Sequence, residues 1–154
     1  VDLTVAGWKE WVTFPDLGEV ALRGKLDTGA DRSALHVGTH KVVKAASGEQ
    51  MVQFTLSALR PGGTRRSRLR VRLPLVGRAV VRRSSGDAER RPVVQLAMRL
   101  GDETRQVRVT LTDRAHMKIA LLLGRDALRD RFLVDPGHTY LLGRRGEDPA
   151  RGEP

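Results

Sequence analysis

Between Arg68 and Leu73 the chain alternates arginine with an aliphatic residue without exception: Arg68-Leu69-Arg70-Val71-Arg72-Leu73. A period of two cannot gather one apolar face on a helix. On a strand it sets Leu69, Val71 and Leu73 on one side and three guanidiniums on the other. The same period runs through Val20-Ala21-Leu22-Arg23-Gly24-Lys25-Leu26 and Met51-Val52-Gln53-Phe54-Thr55-Leu56. Further strand candidates are 7–15, 33–37, 79–83, 90–94, 93–100, 105–111 and the short apolar run 121–123. Between them lie Pro15-Asp16-Leu17-Gly18, Ala45-Ala46-Ser47-Gly48-Glu49, Arg60-Pro61-Gly62-Gly63-Thr64 and Gly101-Asp102-Glu103-Thr104, all good turn chemistry. Residues 132–134 and 140–142 are expected to pair around Asp135-Pro136-Gly137. Only 126–130 reads as helix. Many short strands at regular spacing predict an all-β barrel. One domain over 1–142 is expected, followed by a disordered polar tail over 143–154.

One carboxylate stands where an alternating strand runs into a glycine turn: Leu26-Asp27-Thr28-Gly29-Ala30. Thr28 can hydrogen-bond through its hydroxyl and favours extended backbone, and Gly29 permits a tight turn and close backbone approach. A turn-forming Asp would look the same. More weight comes from a distant segment, Ile119-Ala120-Leu121-Leu122-Leu123-Gly124-Arg125-Asp126-Ala127-Leu128, which is an apolar run, a glycine, a charged pair and the start of a helix.

With these two segments in order the chain resembles the retropepsin-like aspartic peptidases. It is more closely similar to a bacterial and archaeal branch named "ATP-dependent zinc proteases", whose members also carry elements like Gly7-Trp8-Lys9-Glu10-Trp11-Val12, Ser33-Ala34-Leu35-His36 and Ser84-Ser85-Gly86. The resemblance runs from about Gly7 to Leu142. It implies a retropepsin-like closed barrel with one short C-terminal helix, and a peptidase in which Asp27 is catalytic. Thr28, Gly29 and Ala30 would form the active-site turn, with Thr28 bracing two such turns against each other. Asp31 and Arg125 would form a structural ion pair, with Asp126 and Asp113 as alternative partners for Arg125. Arg82, Arg83, Ser84, Ser85, Gly86, Arg90 and Arg91 would make up a substrate-binding flap.

Aspartic peptidase chemistry needs two carboxylates sharing a proton. A single Asp-Thr-Gly and no internal repeat therefore imply a homodimer, each chain donating Asp27 across a two-fold axis. The Gly7–Pro15 segment then belongs either to the core or to the dimer interface.

No zinc site is expected, because the four histidines (36, 40, 116 and 138) form no His-Glu-x-x-His. No phosphate-binding glycine loop and no Gly-x-Ser-x-Gly elbow occur, so no cofactor is expected either. Without cysteine, thiolate zinc sites, disulfides and cysteine nucleophiles are excluded. No apolar run approaches a membrane span and no leader pattern opens the chain, so the expectation is a cytoplasmic protein with no membrane partner.

The net charge is +10, and +9 of it lies between Arg60 and Arg91, where eleven arginines face only Asp87 and Glu89. Such a segment fits an anionic partner. The expected substrate is a polypeptide, acidic or glutamate-rich. The rival reading is a catalytically silent β-barrel that binds nucleic acid or acidic protein through this hairpin. Aromatic content of 4% argues against the stacking platforms of single-strand binders.

Overall fold

Six strands close a barrel in the computed structural model of the chain, which describes residues 2–82, 84–113 and 118–143. In chain order the elements are β1 (Thr4–Gly7), β2 (Lys9–Phe14), β3 (Val20–Leu26), β4 (Ser33–His36), β5 (His40–Lys44) and β6 (Gln50–Leu59). They continue with β7 (Arg66–Pro74), β8 (Gly77–Arg82), β9 (Ala88–Leu100), β10 (Glu103–Thr112), β11 (Leu121–Leu123), α1 (Arg125–Leu128) and β12 (Phe132–Asp135). The barrel runs β11-β4-β10-β9-β2-β3 and returns to β11, because Leu121–Leu123 pairs parallel with Gly24–Leu26. Phe14, Leu35, Leu96, Leu111, Leu121 and Leu123 are fully buried in its core. The apolar residues of each alternating strand thus leave water together, which drives closure.

The arginine-alternating segment lies within β7 and pairs antiparallel with β6, from Met51↔Pro74 to Leu59↔Arg66. Val71 is buried and Leu69 and Leu73 are half-buried, while Arg68, Arg70 and Arg72 are exposed. β9 is a single strand of 13 residues that serves two hairpins, with β8 on its first half and β10 on its second. The strand β5 lacks strict alternation and gains its state from pairing with β6.

The expected pairing of 132–134 with 140–142 does not form. Instead β12 pairs parallel with β1, Thr4↔Phe132 through Gly7↔Asp135. The N–H groups of Tyr140, Leu141 and Leu142 find partners elsewhere. The Trp8 N–H donates to the His138 carbonyl (3.0 Å) and the Tyr140 N–H to the Lys9 carbonyl (2.9 Å). Glu10, completely buried, accepts from the N–H groups of Gly7 (2.6 Å), Leu141 (2.9 Å) and Leu142 (3.1 Å). A buried carboxylate holding three main-chain donors fixes the 7–10 and 138–142 segments at once. Gly7 must lack a Cβ here, since one would lie 2.5 Å from the His138 carbonyl oxygen. Of the tail over 143–154 expected to be disordered, residues 144–154 lie outside the described residues, as do Arg83 and His116.

Candidate active site

Asp27 leaves the end of β3 with its N–H bonded to the Leu123 carbonyl at 2.8 Å, so the β3–β11 pairing sets where the carboxylate stands. Its Oδ1 accepts the Gly29 N–H at 2.9 Å and its carbonyl accepts the Ala30 N–H at 3.2 Å, which folds the turn tightly around it. Asp27 is half-buried, and Thr28 and Gly29 are exposed at the tip of the turn. The carboxyl group therefore has a fixed base and an open front.

The turn rests on the segment after β11. The Arg125 N–H donates to the Ala30 carbonyl (2.8 Å) and the Asp126 N–H to that of Asp31 (3.3 Å). Gly124 passes so close beneath that a Cβ would sit 2.5 Å from the Arg32 carbonyl oxygen. The Arg125 guanidinium donates to Asp31 Oδ1 at 2.6 Å and to the Thr28 carbonyl at 2.9 Å, so it grips both sides of the same turn. The ion pair is exposed and contributes little to stability. Its geometric effect is to hold the turn in register.

The other two acids considered for Arg125 are engaged elsewhere. Asp126 Oδ1 accepts the Ser33 hydroxyl (2.7 Å), whose oxygen in turn accepts the Gly124 N–H (3.0 Å). Asp113 pairs with Arg91 at 2.8 Å. Ser33 and Glu10 are thus supports that sequence reading passed over. Both sit inside recognised segments, but only their partners across the fold reveal the role.

The β8–β9 hairpin carries Ser84, Ser85 and Gly86 at its tip, all exposed, with Gly86 at φ +92°, a conformation that favours glycine. Its arginines are divided. The pairs Arg82↔Ala88 and Val80↔Arg90 occupy one exposed face, and Ala79↔Arg91 the other. Arg91 is buried and donates through Nη2 to Glu89 (2.9 Å) and Asp113 (2.8 Å). The expectation that Arg90 and Arg91 act alike is therefore corrected. Adjacent residues on a strand face opposite ways, and the Arg91 charge is spent on two carboxylates.

The two-stranded sheet of β1 and β12 presents Val5 (49% exposed) beside Leu133 (53% exposed) in register. Among the described residues no helix is long and apolar enough to cross a membrane.

The sequence profile of the family described as "Retropepsin-like aspartic endopeptidase RimB" matches residues 5–145. Two relatives, each described as a probable alpha-L-glutamate ligase, come from Shewanella pealeana (34% identity over 93% of this chain) and Desulfotalea psychrophila (32% over 90%). The chain spans only 31% and 29% of those proteins, so the likeness concerns under a third of their length. A crystal structure of a protein of unknown function from Legionella pneumophila superposes with a TM-score of 0.73 at 31% identity, covering 92% of this chain and 99% of that one.

Proposed function

Because the chain belongs to the RimB-like family of retropepsin-like aspartic endopeptidases, we propose that it is a homodimeric aspartic peptidase in which one Asp27 from each protomer completes a shared site. The observation that carries this reading is the Asp27 turn itself: a carboxylate fixed by the end of β11, open to solvent, and single in each chain. Two such groups brought together share one proton. One carboxylate then takes a proton from a water between them as the water oxygen bonds to the substrate carbonyl carbon, and the other, as the acid, protonates the carbonyl oxygen. The tetrahedral species collapses with the proton delivered to the leaving amine, and no covalent intermediate forms. The exposed Val5 and Leu133 supply apolar surface for the partner.

A shared site has a stoichiometric signature. When wild type and the Asp27→Asn variant are mixed in equal amounts and allowed to exchange, about one dimer in four keeps both carboxylates. Activity per total chain should fall to that quarter. A fall to one half would mean that each chain works alone and would remove the shared site.

The substrate we assign is an acidic, glutamate-rich polypeptide. Two relatives are described as probable alpha-L-glutamate ligases, and a peptidase that acts on glutamate-rich chains meets carboxylates along its substrate. Arg82 and Arg90 flank the flap tip without a carboxylate partner among the described residues. Closure of the hairpin over a bound chain would bring both toward carboxylates in a partly dehydrated site, where attraction is strongest. Glutamate-rich peptides should be cleaved faster than neutral ones of equal length, and replacing both Arg82 and Arg90 by Gln should erase most of the difference. An unchanged preference in that double variant would assign the selectivity elsewhere. The silent-barrel alternative predicts acidic-ligand binding with no hydrolysis at all.

A further inference from the structure

The arginines of β7 take no part in the site described above. Arg66, Arg68, Arg70 and Arg72 are all exposed on one face, and none has a carboxylate partner among the described residues. Opposite them on β6 stand Leu59, Ser57, Thr55 and Gln53, and Lys41 of β5 lies across from Gln53. The same face therefore carries five cations and a row of neutral polar groups, with no acid to quench them. A shallow trough of about 560 Å³ lies over one end of it, lined by Lys41, Gln53, Thr55, Arg70 and Arg72 among others, and Arg66 and Arg68 continue the row beyond it. No residue of the Asp27 turn, α1 or the β8–β9 hairpin lines that trough.

The repeat of the ladder specifies its partner. Alternate residues of a strand recur every ~6.6–6.8 Å, so the four arginines span roughly 20 Å. An extended polypeptide has the same repeat, so an acid at every second position meets one guanidinium each without strain in either chain. A run of about seven residues fills the ladder. The planar guanidinium fork suits bidentate carboxylate binding, and Gln53, Thr55 and Ser57 can donate to carboxylate oxygens or to backbone. Bases of a nucleic acid would find nothing to stack on, because Phe54, the aromatic residue of β5–β7, is buried. We propose that the outer face of β5–β6–β7 is an anchoring site for an extended acidic polypeptide, separate from the Asp27 site. In turnover it would hold the chain whose acidic stretch is being cut. That role rests on the acidic-substrate reading, whereas binding itself is read without hydrolysis.

The test uses the full-length Asp27→Asn protein and labelled eight-residue peptides of equal charge, one alternating Glu and Ser and one with four Glu followed by four Ser. The alternating isomer should bind several-fold more tightly, and replacing Arg66, Arg68, Arg70 and Arg72 together by Gln should weaken it roughly tenfold or more. In the otherwise wild-type enzyme the same four replacements should raise KM for a long acidic substrate and leave a four-residue substrate unaffected. Equal binding of the two isomers, or undiminished binding by the ladder variant, overturns the anchor. So does tighter binding of a single-stranded oligonucleotide of equal charge through the same arginines, which would reassign the face to nucleic acid. If the protein hydrolyses nothing yet binds in register, the peptidase reading fails and the anchor stands. Normal hydrolysis with no ladder effect gives the reverse.

Discussion

Replacing Asp27 by Asn lowers kcat/KM by roughly 10²–10⁴-fold or more, the range expected when a general acid or base is removed, and leaves the barrel standing. The side chain is replaced by one of the same shape, and the amide oxygen can still accept the Gly29 N–H that Asp27 Oδ1 now accepts at 2.9 Å. The turn also keeps its main-chain bond from the Asp27 N–H to Leu123 and its grip by Arg125. What disappears is the ability to hold and release a proton between two facing groups. Circular dichroism and sedimentation should match wild type while peptide hydrolysis is lost. Hydrolysis near the wild-type rate in a correctly folded variant would take Asp27 out of the mechanism.

A second large effect is expected far from any ionisable group, at Gly124. Its backbone is ordinary and extended (φ −90°, ψ −173°), so the demand is for space and not for a special conformation. An alanine Cβ would meet the Arg32 carbonyl oxygen at 2.5 Å and that of Ala30 at 2.9 Å, both backbone atoms that cannot swing aside. Those carbonyls belong to the segment that follows Asp27, so relief must push the active-site turn off α1 or break its bonds to Arg125 and Asp126. Overpacking of this kind costs about 1–3 kcal/mol. In a domain of this size that corresponds to a Tm lowered by roughly 3–10 °C. Because a displacement near 1 Å at a reacting group can cost about 10²-fold, Gly124→Ala should lose much of its activity while still folded. Gly77 is the control: its φ is unexceptional and nothing lies within 4 Å of where a Cβ would stand, so Gly77→Ala should change neither quantity. A Gly124→Ala protein with unaltered melting and activity would show that the turn is not braced from below.

The supports of the turn differ in how far they were legible. The Asp27 strand and the segment 121–128 each announce themselves locally, by period and by glycine. That the Asp27 N–H meets the Leu123 carbonyl, and that Ser33 joins Gly124 to Asp126, is written in neither. Ser33 is simply a small polar residue at a strand start until β4 is laid beside β11. Arg91 teaches the same lesson in reverse. Alternation alone requires Arg90 and Arg91 to face opposite ways, but only Asp113 and Glu89 decide which of them is neutralised.

The local grammar is legible along the chain: an all-β protein, the hairpins of β6–β7, β8–β9 and β9–β10, the short helix, and the carboxylate at a glycine turn. Those features follow from interactions among neighbours, since a period of two, a turn residue or a breaker acts within a few positions. The tertiary structure decided what distant segments do to each other: the parallel closure of β3 on β11, the pairing of β1 with β12, and the burial of Glu10 between the 7–10 and 138–142 segments. The pairing of 132–134 with 140–142 is what the Asp135-Pro136-Gly137 turn suggests locally. It does not form because Glu10 and the Lys9 carbonyl already hold the N–H groups of Tyr140, Leu141 and Leu142, and an N–H bonded to one partner is not available to another.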